Sequence, residues 1–268
     1  MIKIFEKYNL IYITYNLSDN IIIGFSTKHG GVSEGCRATM NLSYNREDEP
    51  GNVEENYRRL SEALEIDSEK IYLNHQVHYD KIRVIKERDL PGYNDNLEYD
   101  AFITNCPQKA LAVIHADCVP VLFLSDTPEN GEGNICIGAA HSGWKGTLAE
   151  IASKTALAMK SEYNIDLTAM KVLIGPCICR DCFTIKNDVY EQFKEKLPPA
   201  LKYIRRINEE QYSMDMAGVI MESLTKIGIA GENIINSGSC TSCNEGLFYS
   251  HRRDKGQTGA MAGIICIK

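Results

Sequence analysis

The sequence predicts an α+β fold, in which strands and helices are mixed without strict alternation. Apolar, strand-forming runs are followed sometimes by another such run and sometimes by a segment with helical periodicity. No Gly-x-Gly-x-x-Gly follows a strand-like run, and no Gly-Lys-Ser/Thr phosphate loop occurs. These observations favour α+β over a doubly wound parallel sheet that binds a nucleotide cofactor.

Eight short apolar runs bounded by turn residues supply the predicted strands. They are Ile21–Phe25, Ile82–Ile85, Leu111–His115, Val119–Leu124, Ile135–His141, Lys171–Gly175, Leu247–Ser250 and Ala262–Ile267.

Four segments carry helix signals. Asn52 is a predicted N-cap, because apolar residues follow it at spacings of three and four. Thr147-x-x-Glu150 predicts a capping box that opens a helix reaching to about residue 162. Asn187 begins a short amphipathic helix, and Asp215 begins another that stops at a C′ glycine, Gly228.

Length and composition indicate one soluble domain over residues 1–268. The chain has 268 residues, of which 44% are apolar and 24% charged, and no repeat or linker divides it. The formal net charge of 29 − 36 = −7 argues against nucleic-acid binding and against a polybasic membrane contact.

The sequence also predicts a cytoplasmic protein without a membrane span. The longest apolar stretch, Leu111–Leu124, contains His115, Asp117 and Pro120 and is too short to cross a bilayer. The first residues lack the apolar region and cleavage site of a signal peptide.

Ten cysteines without a secretion signal indicate reduced thiols or metal ligands. Five of them are clustered, and this cluster either builds a structural zinc site or consists of reduced thiols that fill small pockets. The clustered residues are Cys177, Cys179, Cys182, Cys240 and Cys243.

Six histidines are too few for the mononuclear and trinuclear copper centres of a multicopper oxidase. Three segments nevertheless concentrate reactive side chains: Asn74–His78, His115–Pro120 and Ala139–Gly146. Two imidazoles and one thiolate suit zinc and leave its fourth position open, as catalytic zinc requires. Spacing alone leaves a core thiol and ordinary strand histidines as alternatives.

Cations near these segments indicate an anion site. Lys145 precedes the helix predicted to begin near Thr147, whose free N–H groups attract anions. Arg252 can bind phosphate through its guanidinium fork, although an ion-pair cluster is the alternative. Lys28 lies in a Gly-Gly turn that is either a substrate loop or a hairpin.

Five short strings stand out in the sequence: Gln76-Val-His78, His115-Ala-Asp-Cys118-Val-Pro120, Ala140-His141-Ser-Gly-Trp144-Lys-Gly146, Ile174-Gly-Pro-Cys177 and Tyr249-Ser-His-Arg-Arg253. Together they resemble the polyphenol oxidase/laccase-domain family, also called the YfiH-like family. The early segments Gly30-Gly31-Val-Ser33 and Asn41-Leu42 match as well, so the resemblance runs from about Gly24 to the C-terminus in the family's motif order.

The resemblance implies a four-layer α/β/β/α sandwich with mixed sheets, and Zn²⁺ held by His78, Cys118 and His141. It further implies phosphorolysis of purine nucleosides (adenosine, inosine, guanosine and methylthioadenosine), with an adenosine deaminase side activity. Cu²⁺ is expected to replace Zn²⁺ in vitro, because it binds such ligands more tightly. The partners expected are nucleosides and phosphate, bound by a monomer or homodimer.

Two residues depart from the family pattern. Lys28 and Ala260 stand where the family usually or often has arginine, and Lys28 keeps the charge without the bidentate fork.

The leading hypothesis assigns catalysis and metal binding to His78, Cys118 and His141, and substrate or phosphate binding to Gln76, Lys28, Lys145 and Arg252. The alternatives are a hydrolase with Cys118 as nucleophile and His141 as base, a copper-dependent polyphenol oxidase, and a metal-binding protein without catalysis.

Overall fold

The structure, a computed structural model, describes residues 1–94, 96–126 and 135–268. Within these residues the chain forms fifteen strands and five α-helices. The strands are β1 (Ile2–Phe5), β2 (Leu10–Thr14), β3 (Ile21–Ser26), β4 (Ile71–Tyr72), β5 (Ile82–Val84), β6 (Ala101–Thr104), β7 (Ala110–His115), β8 (Val119–Ser125), β9 (Cys136–Ser142), β10 (Lys171–Ile174), β11 (Thr184–Lys186), β12 (Ile204–Arg206), β13 (Gln211–Met214), β14 (Ile234–Asn236) and β15 (Met261–Ile267). The helices are α1 (Pro50–Leu64), α2 (Trp144–Leu148), α3 (Ile151–Tyr163), α4 (Asn187–Lys196) and α5 (Met216–Lys226).

Both large sheets mix parallel and antiparallel pairs. In the described part of the chain, the first sheet has the order β1-β2-β3-β15-β7-β4 and the second β14-β10-β8-β9-β6-β5. The parallel pairs lie at the sheet edges, between β4 and β7, β10 and β14, and β5 and β6. A small antiparallel sheet has the order β11-β13-β12. The predicted α+β class with mixed sheets is confirmed.

The two large sheets pack face to face and are covered by helices on their outer sides. Along β8, Val121 and Phe123 face the core that α3 and α5 close, whereas Leu122 and Leu124 face the first sheet. Helix α1 covers the other side of the first sheet. The layers therefore follow the order α1, first sheet, second sheet, α3 with α5. Because β8 is buried on both faces, its sequence is continuously apolar instead of alternating.

One of the eight predicted strands is wrong. Leu247–Ser250 forms no strand; Leu247 and Phe248 donate backbone hydrogen bonds to the Asn244 carbonyl, as in a turn. Phe248 and Tyr249 are nevertheless buried between the large sheets. The apolar composition of this run thus reports burial and not strand pairing, two properties that a short run cannot distinguish.

The predicted capping box is also wrong. The helix begins earlier, at Trp144, and stops at Leu148 before a second helix, α3. The Thr147 hydroxyl hydrogen-bonds to Ser142 Oγ at 2.9 Å, and Glu150 adopts a left-handed conformation (φ 57°) between the two helices. Thr147 therefore caps no helix, because its oxygen is used by the preceding strand.

The other helix predictions hold with small shifts. Helix α1 begins at Pro50 and not after Asn52, since proline is pre-organised for the first helical position. Asp215 caps α5 by accepting a hydrogen bond from the Gly218 N–H at 3.0 Å. Gly228 follows that helix with φ 104°, as a C′ glycine does. Among the helices of the described residues, none is both long and apolar enough to span a bilayer.

Candidate metal centre

Strand register brings Cys118 and His141 together. Strands β8 and β9 pair antiparallel, with Val119 opposite Ser142 and Pro120 opposite His141. Cys118 immediately precedes β8 and His141 lies near the end of β9, so the thiol and the imidazole meet at one end of this pair. In sequence they are more than twenty residues apart, and only the pairing makes them neighbours.

His78 reaches the same place on a turn between β4 and β5. This residue has a left-handed backbone (φ 61°), and the turn is held by the carboxylate of Asp100. The backbone N–H groups of Val77, His78 and Tyr79 donate to its two oxygens at 3.1, 3.0 and 2.9 Å. Three backbone bonds to one buried carboxylate hold the turn, and so place the backbone of His78 beside Asp100.

Asp100 also orients His141. It precedes β6, is fully buried, and accepts a hydrogen bond from His141 Nδ1 at 2.8 Å. Its carbonyl accepts the His141 N–H at 2.7 Å. Burial would by itself raise the pKa of Asp100, but the His141 ring and the N–H groups of Tyr79 and His78 lower it below its usual value. A carboxylate behind a ligating imidazole is a common support of metal sites.

The ligand atoms of His78, Cys118 and His141 all lie within 4.8 Å of one another. The centres of the His78 and His141 rings are 4.7 Å apart, and the two ring planes are perpendicular. Burial opposes ionisation of Cys118, yet the two histidines lower its pKa to about 6; the thiolate and Asp100 in turn raise the pKa of His141 to about 9 against the effect of burial. Two nitrogens and one sulfur that converge in this way fit Zn²⁺ and leave one coordination position open.

The three side chains line a pocket of about 570 Å³. Its lining combines aromatic and apolar residues with a few polar ones, as small-molecule sites do. The other lining residues are Leu42, Ser43, Tyr44, Asn45, Arg46, Leu73, Asn74, Gln76, Tyr93, Ile114, His115, Ala116, Asp117, Gly143, Trp144, Ile178, Phe183, Met216, His251, Arg252 and Ala260.

Arg46, Arg252 and His115 are among the polar residues of the pocket wall. Arg252 is anchored by hydrogen bonds to the Thr184 side chain at 2.8 Å and to the Thr184 carbonyl at 3.0 Å. Arg46 is half-buried, and burial lowers the pKa of its guanidinium although Cys118 and Asp117 oppose that shift. In the described part of the chain, neither ring nitrogen of the buried His115 has a hydrogen-bond partner.

The other substrate-binding candidates lie in different surroundings. Gln76 lines the pocket, but its amide exchanges hydrogen bonds with the backbone of Ile114 at 2.8 and 2.7 Å. Lys28 and Lys145 are not among the lining residues, and the Lys145 ammonium lies 5.7 Å from the centre of the Trp144 ring. Their binding roles stay predictions. Of the two departures from the family pattern, Ala260 lines the pocket and Lys28 does not.

Sequence reasoning missed Asp100, Arg46 and the unpaired state of His115. An aspartate directly before an apolar strand was a possible signal for Asp100, since a buried carboxylate needs several donors. No local pattern distinguishes Arg46 from a surface arginine. Arg253, next to Arg252, pairs with Asp254 and donates to backbone carbonyls, so the ion-pair alternative describes this neighbour.

Comparison with known proteins agrees with the family resemblance. Residues 22–268 match the family described as multi-copper polyphenol oxidoreductase laccase. "Purine nucleoside phosphorylase YlmD" of Geobacillus stearothermophilus is 33% identical, over 91% of this chain and 89% of that protein. "Purine nucleoside phosphorylase" of Deinococcus radiodurans is 36% identical, over 90% of this chain and 87% of that protein.

A solved structure shows the same fold. The crystal structure of the hypothetical protein YfiH from Bacillus licheniformis superimposes with a TM-score of 0.87 and 29% sequence identity, covering 97% of this chain and 96% of that one. The family match spans most of the sequence and includes the segments that contain His78, Cys118 and His141. The chain therefore belongs to the YfiH-like family of laccase-domain proteins.

Proposed function

We propose that this protein is a zinc-dependent purine nucleoside phosphorylase with an adenosine deaminase side activity. The observation that carries the proposal is the convergence of His78, Cys118 and His141 at the wall of a pocket large enough for a nucleoside. Relatives that are 33% and 36% identical to this chain bear the name purine nucleoside phosphorylase, which supports purine nucleosides as the substrate class.

The residues present fit a resident zinc ion. Two imidazoles and a thiol whose pKa lies near 6 form a borderline-soft donor set, and Asp100 holds one imidazole from behind. When bound, zinc supplies a Lewis acid and one open position for a substrate atom. The buried carboxylate of Asp100 orients the His141 ring.

Phosphorolysis requires the pocket to hold an anion and a purine together. An oxygen of phosphate forms a bond to ribose C1′ while the bond from C1′ to the purine nitrogen breaks. The purine leaves with the bonding electrons and gains a proton, so the products are free base and ribose 1-phosphate. Arg46 and Arg252 are suited to bind phosphate, and the unpaired His115 ring is suited to bind the nucleoside.

The direct test is to incubate zinc-loaded protein with inosine and phosphate and to separate the products by chromatography. We expect inosine to yield hypoxanthine and ribose 1-phosphate, and we expect no cleavage without phosphate. With adenosine as the substrate, we expect a slower conversion to inosine. Cys118→Ser should lose more than about 100-fold of the activity, since even residues behind a ligand contribute 10–100-fold. Cys36→Ser, an exposed cysteine outside the pocket, is the control. A zinc-replete protein that cleaves none of the four nucleosides contradicts the proposal.

A cysteine hydrolase is the second candidate, because Cys118, His141 and Asp100 also form a nucleophile, a base and an orienting carboxylate. The His141 ring hydrogen-bonds to the carboxylate, and one of its nitrogens lies within 4.8 Å of the Cys118 sulfur. Chelation and alkylation separate the two hypotheses. A thiol hydrolase keeps its activity in chelator and loses it to iodoacetamide, whereas the phosphorylase loses activity in chelator and zinc protects Cys118 from the reagent.

Copper-dependent oxidation of polyphenols is a weaker candidate, because three ligands do not build the centres of a multicopper oxidase.

Ten free cysteines in the described structure suit a reducing compartment, which supports a cytoplasmic location. Sedimentation of the purified protein distinguishes the monomer from the homodimer.

A further inference from the structure

A second group of cysteines lies apart from the pocket, where two loops leave the second sheet. Cys179-x-x-Cys182 follows β10, and Cys240-x-x-Cys243 follows β14. The two strands are parallel neighbours, and an isolated bridge between Cys177 and Cys240 continues their pairing into the loops. Parallel pairing therefore delivers both Cys-x-x-Cys turns to the same edge of the sheet.

The four sulfur atoms are arranged as a compact group. All lie within 4.8 Å of one another, with Sγ–Sγ distances of 3.4 Å between Cys182 and Cys243 and 4.0 Å between Cys179 and Cys243. Tetrahedral zinc with bonds of about 2.3 Å to sulfur requires sulfur atoms about 3.8 Å apart. A disulfide requires about 2.05 Å, so these spacings suit four separate thiolates around one ion.

The backbone around the group provides hydrogen bonds to sulfur. The N–H groups of Cys179 and Cys243 both point to Cys240 Sγ, at 3.3 and 3.4 Å. N–H donors stabilise a thiolate more than a neutral thiol, because they interact with its negative charge. Cys177, the fifth clustered cysteine, is buried and lies outside the set of four.

We propose that Cys179, Cys182, Cys240 and Cys243 bind a structural Zn²⁺ ion, distinct from the ion held by His78, Cys118 and His141. Two pairs at Cys-x-x-Cys spacing are a common ligand set of structural zinc. Four protein ligands close the coordination shell and leave no position for substrate. The ion consequently holds the two loops together and takes no part in the reaction.

The two loops that carry these cysteines also contact Asp117, a residue that lines the pocket. Asp117, the residue before Cys118, has a left-handed backbone with φ 91°. Its carbonyl accepts the N–H of Ile178 at 3.0 Å, and its carboxylate accepts the Thr241 hydroxyl at 2.7 Å. One contact comes from each Cys-x-x-Cys loop. The second ion therefore stabilises the backbone that presents Cys118.

Metal counting tests the proposal without relying on enzyme activity. Purified protein reconstituted with Zn²⁺ and freed of excess metal should hold two ions per chain by elemental analysis. The double variant Cys182→Ser/Cys243→Ser should hold one, and the matched control Cys36→Ser/Cys106→Ser should hold two. Sulfur-to-metal charge-transfer absorption after Co²⁺ loading should fall by more than half in the first variant, because four of five thiolate ligands belong to this site. One ion in the wild-type protein, with no change in the double variant, overturns the proposal.

Alkylation of the wild-type protein gives a second measurement that does not depend on a variant folding. With Zn²⁺ bound, the four cysteines should react with iodoacetamide at least tenfold more slowly than after chelation, as measured by peptide mass spectrometry. Exposed Cys36 should react equally in both states. Equal rates for the four cysteines, or a disulfide between Cys182 and Cys243 in metal-loaded protein, contradict a zinc site here.

Discussion

Asp100 is the residue on which the geometry of the candidate centre depends most. Its carboxylate accepts hydrogen bonds from the backbone of the His78 turn and from the ring of His141, and it is fully buried. One side chain thus contacts two candidate metal ligands that come from distant parts of the chain. Replacing a buried acceptor of several hydrogen bonds destabilises the folded protein, because each buried donor left without a partner costs about 1–3 kcal/mol of folding free energy.

We therefore expect Asp100→Asn to weaken zinc binding and activity by about 10–100-fold. The asparagine side chain has the size of aspartate but no charge. Its NH₂ group cannot accept the hydrogen bonds that the replaced carboxylate oxygen accepts. Chelator competition measures the zinc affinity, and kcat on inosine measures the activity. Asp19→Asn, at an exposed position, is the control. Unchanged zinc affinity in Asp100→Asn would show that the carboxylate does not support the centre.

His115 is a buried polar side chain without a protein partner in the described structure, and it lines the pocket. If its ring binds the nucleoside, His115→Leu should raise KM about fivefold, the effect of losing a hydrogen bond of about 1 kcal/mol. Zinc content should not change, and the free energy of unfolding should not fall, because the substitution removes an unsatisfied polar group. Steady-state kinetics and elemental analysis check this, with His29→Leu outside the pocket as the control. An unchanged KM for every nucleoside contradicts the role.

At the scale of elements, close packing between the two large sheets fixes the distance between their strands. Gly175 directly follows β10 of the second sheet, and an added Cβ there would overlap the ring of Phe25 on β3 of the first sheet. Phe25 is itself fully buried, so its ring has no open side to move into.

Gly175→Ala should lower the free energy of unfolding by about 1–3 kcal/mol through this overpacking. Urea denaturation followed by circular dichroism measures the loss. Gly231→Ala is the matched control, because no atom lies within 4 Å of a Cβ built at that glycine, and it should change the free energy by less than about 0.5 kcal/mol. Equal stability of the two variants would mean that the sheets adjust freely at this contact.

At the scale of the whole molecule, bound metal should stabilise the native state, because the unfolded chain does not hold the ligands together. A free metal concentration 100 times the Kd adds about 2.7 kcal/mol, which corresponds to a rise of roughly 5–10 °C in Tm for a chain of this length. Differential scanning calorimetry with Zn²⁺ and with chelator measures the difference. Mg²⁺, which prefers oxygen ligands, should leave Tm unchanged. The same Tm in zinc and in chelator contradicts metal binding by the folded protein.

The sequence predicted those features that depend on neighbouring residues. Seven of the eight strand-like runs form strands within a few residues of their predicted limits, and Asp215 and Gly228 bound a helix as expected. The failures at Leu247–Ser250 and at Thr147 have one cause. An apolar run, or a residue with capping chemistry, takes its final partner from another part of the chain, and local patterns do not contain that partner.

The sequence by itself determined which donor atoms are available: two imidazoles and a thiol in recognisable motifs, and two Cys-x-x-Cys pairs. Tertiary structure alone decided that they meet. The register of β8 on β9 brings Cys118 to His141, and the parallel pairing of β10 with β14 brings the two cysteine pairs together. The support from Asp100 belongs to this second class. Strand pairing joins residues distant in sequence through backbone hydrogen bonds common to all residues, so side-chain identity at the site does not reveal it.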